Sequence, residues 1–305
     1  MKKRIHTIFV LAIMAATVIS ANAQTRPSDL LEQKTLKKIA QFDAEWDGVL
    51  GVAALDLGTG HLFAYNGEGV FPQASSIKIP IMIELFRQDR ANKINLQASF
   101  EITDRYLVGG SGKFQETLKA GQSIKKPIIE IIQAMIEWSD NVATNVCIDL
   151  VGMDNVNSTL NELGFGATRL QRKMMDGEAV ARNDENISTP IEMARMAQML
   201  YEGAVVDAQA CEQMVAILAS VDAAMRKAVP AQYKVAAKPG WVTDARCETG
   251  IVFLDDRPFV LSVMSTYNGP GNGNPVGPIT EIVFDHFERL AHSNLYGNRT
   301  GERPK

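Results

Sequence analysis

The chain reads as a mixed α/β protein of the α+β type, with one antiparallel sheet, flanking terminal helices and an added helical subdomain. Three observations predict this. Strand-like alternation is confined to two blocks, residues 49–66 and 233–266, near opposite ends of the chain. Between them, from Ala74 to about Ala219, apolar residues recur at helical spacing. An amphipathic helix stands outside each strand block, so strands from the two ends must meet in one sheet and leave a cleft beside the inserted helices.

The elements follow in order. Residues Ser28 to Asp43 predict a helix, with Leu31, Leu36, Ile39, Ala40 and Phe42 on its apolar face. Val49 to Leu57 and His61 to Asn66 predict strands joined at Gly58-Thr59-Gly60. Helical segments are expected near 75–90, 127–138, 141–151, 153–163, 190–202 and 208–219. Strands are expected again at Tyr233 to Lys238, Thr249 to Leu254 and Pro258 to Thr266, before a last helix over Pro278 to Leu295. The organisation is therefore 1–23 as a signal peptide, 24–73 with 220–305 as an α/β subdomain, and 74–219 as the helical subdomain.

The N-terminus has the three parts of a secretory signal: Lys2, Lys3 and Arg4, an apolar run from Ile8 to Ile19, and Ala21-Asn22-Ala23 as a cleavage site. A periplasmic or secreted protein with no membrane span after cleavage is expected. Three of the 31 Lys and Arg lie in the signal, leaving 28 against 35 acidic residues, a net charge of −7. That balance argues against nucleic acid or an anionic membrane as partner. Cys147, Cys211 and Cys247 are odd in number and lack metal-ligand spacing. Cys147 and Cys211 read as buried small hydrophobes, Cys247 as a thiol near the site. His61, His286 and His292 are the histidines beyond the signal, and none is near the candidate nucleophile in sequence. No metal or other cofactor is called for, and a monomer is expected.

Three short patterns carry the chemistry. Ser75 and Lys78 are three residues apart and share a helix face, so an amine lies beside a hydroxyl at a helix N-terminus. Such a hydroxyl attacks only when a base takes its proton, and lysine is a base only when burial or a second cation keeps it neutral. Taken alone, the pair also fits a capping serine with a solvated lysine. Ser76 competes as nucleophile but has no lysine at the same offset. Ser139-Asp140-Asn141 lies between two helical segments and is equally a cluster of good N-caps. Lys238-Pro239-Gly240 ends a strand, with a glycine that permits close approach of another backbone.

In that order, with Ser139 64 residues after Ser75, the patterns resemble the active-site elements of penicillin-recognising serine hydrolases, nearest to class A β-lactamases. The resemblance covers nearly the whole chain after the signal and implies the serine β-lactamase/DD-peptidase fold. It implies Ser75 as nucleophile, Lys78 as base, Ser139 as proton relay to the leaving nitrogen, Asn141 as amide-binding group and Lys238 as cation. It also implies an oxyanion hole from the N–H groups of Ser75 and Trp241, beside Gly240. The family has Ser or Thr where Pro239 stands, so carboxylate recognition is expected to move to Thr243, Arg246 or Thr249, with Arg246 preferred for its bidentate fork. A plain surface arginine is the alternative.

One element is missing. Class A enzymes place a glutamate shortly after Arg172, in a loop between Thr168-Arg169-Leu170 and Ser188-Thr189-Pro190. Here Met174 or Met175 takes that position, and Asn186 falls where an aspartate pins the loop to its arginine. Asp176, Glu178 and Glu185 are candidate replacement bases, or simply acidic loop residues. The expected function is β-lactam opening through a Ser75 acyl-enzyme that is lost slowly. A D-Ala-D-Ala carboxypeptidase or esterase is the alternative, followed by a covalent binder without turnover.

Overall fold

The structure is a computed structural model that describes residues 25–300, so the expected signal peptide lies outside the described residues. The first helix, α1 (Pro27–Glu45), leads into a hairpin of β1 (Val49–Asp56) and β2 (Leu62–Tyr65). Asp56 shapes its turn, accepting from the N–H groups of Gly58 and Thr59 while pairing with Arg257 at 2.6 Å. After β3 (Phe71–Pro72), a 3₁₀ turn over Ala74–Ile77 runs directly into α2 (Lys78–Arg90).

The helical part follows: β4 (Ser99–Thr103), α3 (Lys113–Thr117), β5 (Ser123–Pro127), α4 (Ile128–Glu137), α5 (Asn141–Val151) and α6 (Met153–Glu162). It continues through α7 (Gly177–Ala181), β6 (Ile187–Ser188), α8 (Pro190–Tyr201), α9 (Ala208–Ala219) and α10 (Ala224–Ala228). The chain then re-enters the sheet as β7 (Lys234–Val242), β8 (Ala245–Phe253) and β9 (Phe259–Thr266), and ends in α11 (Val276–Ala291).

The main sheet has the order β2-β1-β9-β8-β7, every pair antiparallel. Both ends of the chain therefore meet at β1–β9, and β7 is a free edge. Seven of the eight β1 residues are buried, as expected of a strand covered on both faces. Phe63 on one face packs against His286 and Phe287 of α11. On the other face, a Cβ at Gly51 would come within 2.9 Å of Pro190 at the start of α8.

Alternation along paired strands assigns the remaining side chains to faces. Gly51, Met264, Cys247 and Gly240 are partners in successive strands, as are Ala53, Ser262, Thr249 and Lys238. Lys238 and Gly240 thus lie on the α8 face, whereas Trp241 and its partner Arg246 lie on the opposite one. β7 and β8 extend four residues further toward their shared turn than periodicity indicated, because exposed Trp241 and Val242 break the apolar run without breaking the ladder. The ribbon β4–β5 falls inside the stretch read as helical, and β6 within that stretch pairs with β3 just before it.

Candidate active site

The three patterns converge where the 3₁₀ turn, the start of α5 and edge strand β7 meet. Ala74 adopts a left-handed φ of 43°, uncommon for a residue with a Cβ and a form of local strain that clusters at functional sites. Ser75 follows, half-buried, at the entrance to α2. Lys78 occupies the first position of that helix and is fully buried. Pro80 is accommodated because first-turn N–H groups have no partner within the helix.

The Lys78 amine lies 2.7 Å from the Ser139 carbonyl oxygen, 3.1 Å from Ser139 Oγ and 3.1 Å from Asn141 Oδ1. Burial, reinforced by the charge on Lys238, holds this amine well below the usual lysine range. Lys238 is also fully buried, and burial lowers it to about 8. No hydrogen bond to the Ser75 hydroxyl occurs among the described residues. Ser76, the competing nucleophile, is fully buried and donates to the Lys238 carbonyl at 3.0 Å, which commits it to the seam between turn and strand.

Asp140 fixes the second element. Its carboxylate accepts from the N–H groups of Ala143 at 2.9 Å, capping α5, and of Phe114 at 2.7 Å, at the start of α3. Gly112, at φ 132°, is required beside it, because a Cβ there would sit 2.3 Å from the Asp140 carboxyl carbon. The Gly109–Gly112 strap crosses the same site: Asn141 Nδ2 donates to the Gly109 carbonyl at 3.3 Å, and the Ser111 hydroxyl donates to the Ser139 carbonyl at 3.0 Å.

The third element is held against the first by backbone contact. A Cβ on Gly240 would lie 2.5 Å from Cys247 Sγ, 2.7 Å from the Gln73 carbonyl oxygen and 2.8 Å from Ser75 N. The Cys247 thiol is buried there, donates to the Gln73 carbonyl at 2.8 Å, and is pushed up to about 11 by burial. It is structural filling under the nucleophile turn. Cys147 and Cys211 are free and buried in the core.

Two expected carboxylate anchors have their polar groups engaged within the sheet. Arg246, the preferred one, stacks on the Trp241 indole at 3.9 Å, and its Nη1 donates to the carbonyls of Val242, Thr243 and Ala245. It clasps the β7–β8 turn from the face opposite Lys238. Thr249 shares the Lys238 face, but its buried hydroxyl is paired with Ser262 Oγ at 2.9 Å. Thr243 is exposed in the turn itself.

The loop after Arg172 is fixed at several points. Asn145, one helical turn beyond Asn141, accepts from Met174 N at 2.8 Å and donates to the Met174 carbonyl at 3.2 Å. The Met174 side chain is buried among apolar residues. Asn186 ties itself to the backbone of Gln171 and Arg172. The charge that pairs with Arg172 comes from Glu185, at 2.7 Å, one residue earlier than the position holding Asn186. Glu185 is thus occupied as a strut, Asp176 caps α7 through Ala179 N, and Glu178 is exposed. Asn145 was missed from sequence; its i, i+4 relation to Asn141 on one helix face was the available signal.

A model of the β-lactamase enzyme family matches residues 33–287. The chain belongs to the β-lactamase enzyme family. It is a serine hydrolase of the β-lactam-opening kind. Its sequence is 25% identical over 244 residues to the imipenem-hydrolysing β-lactamase of Enterobacter cloacae, covering 77% of this chain and 82% of that one. The fold is shared with a β-lactamase from Sphaerobacter thermophilus, at a TM-score of 0.75 and 24% identity over 85% of this chain and 97% of that one. It is also shared with a leucine-to-glutamate mutant of PBP-A solved as its acyl-enzyme complex with penicillin G, at a TM-score of 0.77 and 22% identity, covering 85% and 97% respectively.

Two expectations follow for this β-lactamase-family chain. Gly240→Ala forces β7 away from Ser75 N and is expected to lower acylation by a penicillin about 100-fold or more, as loss of an oxyanion donor does, in a timed labelling assay. The acylation rate should also be bell-shaped in pH. It falls on the acid side as Lys78 gains a proton, and on the alkaline side as Lys238 loses one near about 8. Lys238→Arg, which stays charged, should displace only the alkaline limb upward.

Proposed function

We propose that the protein opens β-lactams by forming an acyl-enzyme on Ser75 and releases the acyl group slowly. The observation that carries this is the buried, depressed amine of Lys78 set between the nucleophile turn and Ser139. Neutral Lys78 takes the proton of Ser75 as Oγ bonds to the lactam carbonyl carbon. The N–H groups of Ser75 and Trp241 receive the developing oxyanion. As the C–N bond breaks, the lactam nitrogen takes the Ser139 hydroxyl proton, and Ser139 recovers one from the Lys78 ammonium. Lys78 returns to its neutral state with no net gain or loss of protons. Asn141 holds the substrate's side-chain amide, and Lys238 attracts its carboxylate.

Water must then attack the ester, and the loop position that presents Met174 offers no base. That favours a long-lived acyl-enzyme and keeps a D-Ala-D-Ala-type peptide or an ester in view as a natural substrate. The signal-like N-terminus supports a periplasmic or secreted site of action, where such substrates occur.

A fluorescent penicillin should label the protein at Ser75, and Ser75→Ala should abolish labelling. Intact-mass mapping of the acyl group to another residue counts against the assignment. Met174→Glu places a carboxyl in a buried position that raises its pKa toward that of a working base. It should speed acyl loss by roughly 100-fold. Unchanged acyl-enzyme lifetime in a folded variant sinks the explanation of slow release. Release of D-Ala from a short peptide, measured beside cephalosporin turnover, separates the two substrate readings.

A further inference from the structure

We propose that Met175 is a redox-modification site, where a peroxide converts the thioether to its sulfoxide ahead of any other side chain and the new oxygen draws the Asn141 amide away from substrate. The inference rests on the acylation reading above and adds to it a means of regulation. Among the described residues Met175 is the one exposed methionine, at 55%. Met153 and Met199 are half-buried, and the other described methionines lie in the core. Cys147, Cys211 and Cys247 are free but buried, and burial pushes the Cys147 and Cys247 thiols up, so no exposed thiolate competes for the oxidant. Oxidation of sulfur follows access, which leaves Met175 as the first target.

Its surroundings give that oxidation a consequence. Met175 Sδ and Asn141 Nδ2 lie 3.1 and 2.4 Å from one point, the place a Cβ on Gly110 would take, so the two side chains fill the same narrow space. Asn141 Oδ1 accepts from Lys78, while Nδ2 makes a single long bond, 3.3 Å, to the Gly109 carbonyl. A thioether is a weak acceptor and does not compete for Nδ2. In the oxidation a sulfur lone pair attacks one peroxide oxygen, an S–O bond forms, the O–O bond breaks and water leaves. The sulfur gives up two electrons and the peroxide takes them. The product carries a strongly polar oxygen one bond out from the sulfur, beside a donor with only a long bond to lose. Asn141 Nδ2 then donates to the sulfoxide in place of a substrate's amide carbonyl. The loop is held in place on both sides of Met175: Asn145 engages both backbone groups of Met174, and Asp176 caps α7 just beyond. Because the Met175 side chain lies outside the core, its oxidation leaves the fold intact.

The test treats the full chain with hydrogen peroxide, maps added oxygen by peptide mass, and follows acylation of Ser75 by a fluorescent penicillin. Oxygen should appear first on Met175, and the acylation rate constant should then fall about fivefold, the worth of one competed hydrogen bond. Methionine sulfoxide reductases, one for each epimer, should restore the rate. Met175→Leu has no sulfur at this place and should acylate equally fast before and after peroxide. The thermal midpoint should not move; a fall in it assigns the slowing to unfolding and overturns the contact with Asn141. First oxidation at another residue, a rate unchanged by the Met175 sulfoxide, or an equal fall in Met175→Leu each overturns the proposal. If the unaltered protein is not acylated at Ser75, the acylation reading falls and the effect on rate with it, while the mass map still decides the site of oxidation.

Discussion

The site depends on one buried amine, held well below the usual lysine range. Lys78 has no exposed surface, and a lysine removed from water beside a second lysine favours its neutral form. A neutral amine has two N–H donors and one lone pair, yet three oxygens lie within 3.1 Å of it. The Ser139 carbonyl and Asn141 Oδ1 can only accept, so they take the two N–H groups. The lone pair is then left to accept from the Ser139 hydroxyl. The proposed reaction needs the same lone pair to receive the Ser75 proton, so one nitrogen would serve two hydroxyls in turn. Burial likewise lowers Lys238, to about 8, against the opposing charges of Cys247 and Glu248.

Placing that amine is the work of two seams. On one side Asp140 ties α5 to α3, and the glycine strap lies where any side chain would strike the Asp140 carboxylate. On the other, Ser76 donates to the Lys238 carbonyl and Cys247 to the Gln73 carbonyl, drawing β7 onto the nucleophile turn until only a glycine fits at 240. The sheet's order makes this possible, since β7 is an edge and its outer side is free to meet the helices.

Ser75, Lys78, Ser139, Asn141 and Lys238 were legible because their chemistry sits in short, ordered patterns that helical and strand spacing can place. The strand assignments near the cleft were less so. Arg246 was read as pointing at the substrate because the extent and register of β7 and β8 were unknown; pairing it with Trp241 puts it on the other face, clasping a turn. Thr249 had the right face but a partner in the next strand, which only the β8–β9 register discloses. The ribbon β4–β5 was hidden because its residues are mostly polar and half-exposed within a stretch whose apolar period is otherwise helical. Asn145 and Glu185 act through backbone groups and an ion pair across a loop, and neither leaves a motif.

The loop that ends at Asn186 is fixed at both ends and at its centre. It is pinned at its start and end by Asn186, braced by the Arg172–Glu185 pair, and gripped in the middle by Asn145. Such fixing would suit a loop that must hold a base within hydrogen-bond reach of a water. Yet the residue at its centre is Met174, whose backbone N–H and carbonyl are both engaged by Asn145 and whose side chain has no acceptor. An ordered water needs two to four polar partners, and the Met174 side chain supplies none. Among the described residues, Lys78 and Ser139 make no hydrogen bond to this loop. The loop's fixed centre thus carries two methionines, Met174 turned into the core and Met175 exposed near Asn141.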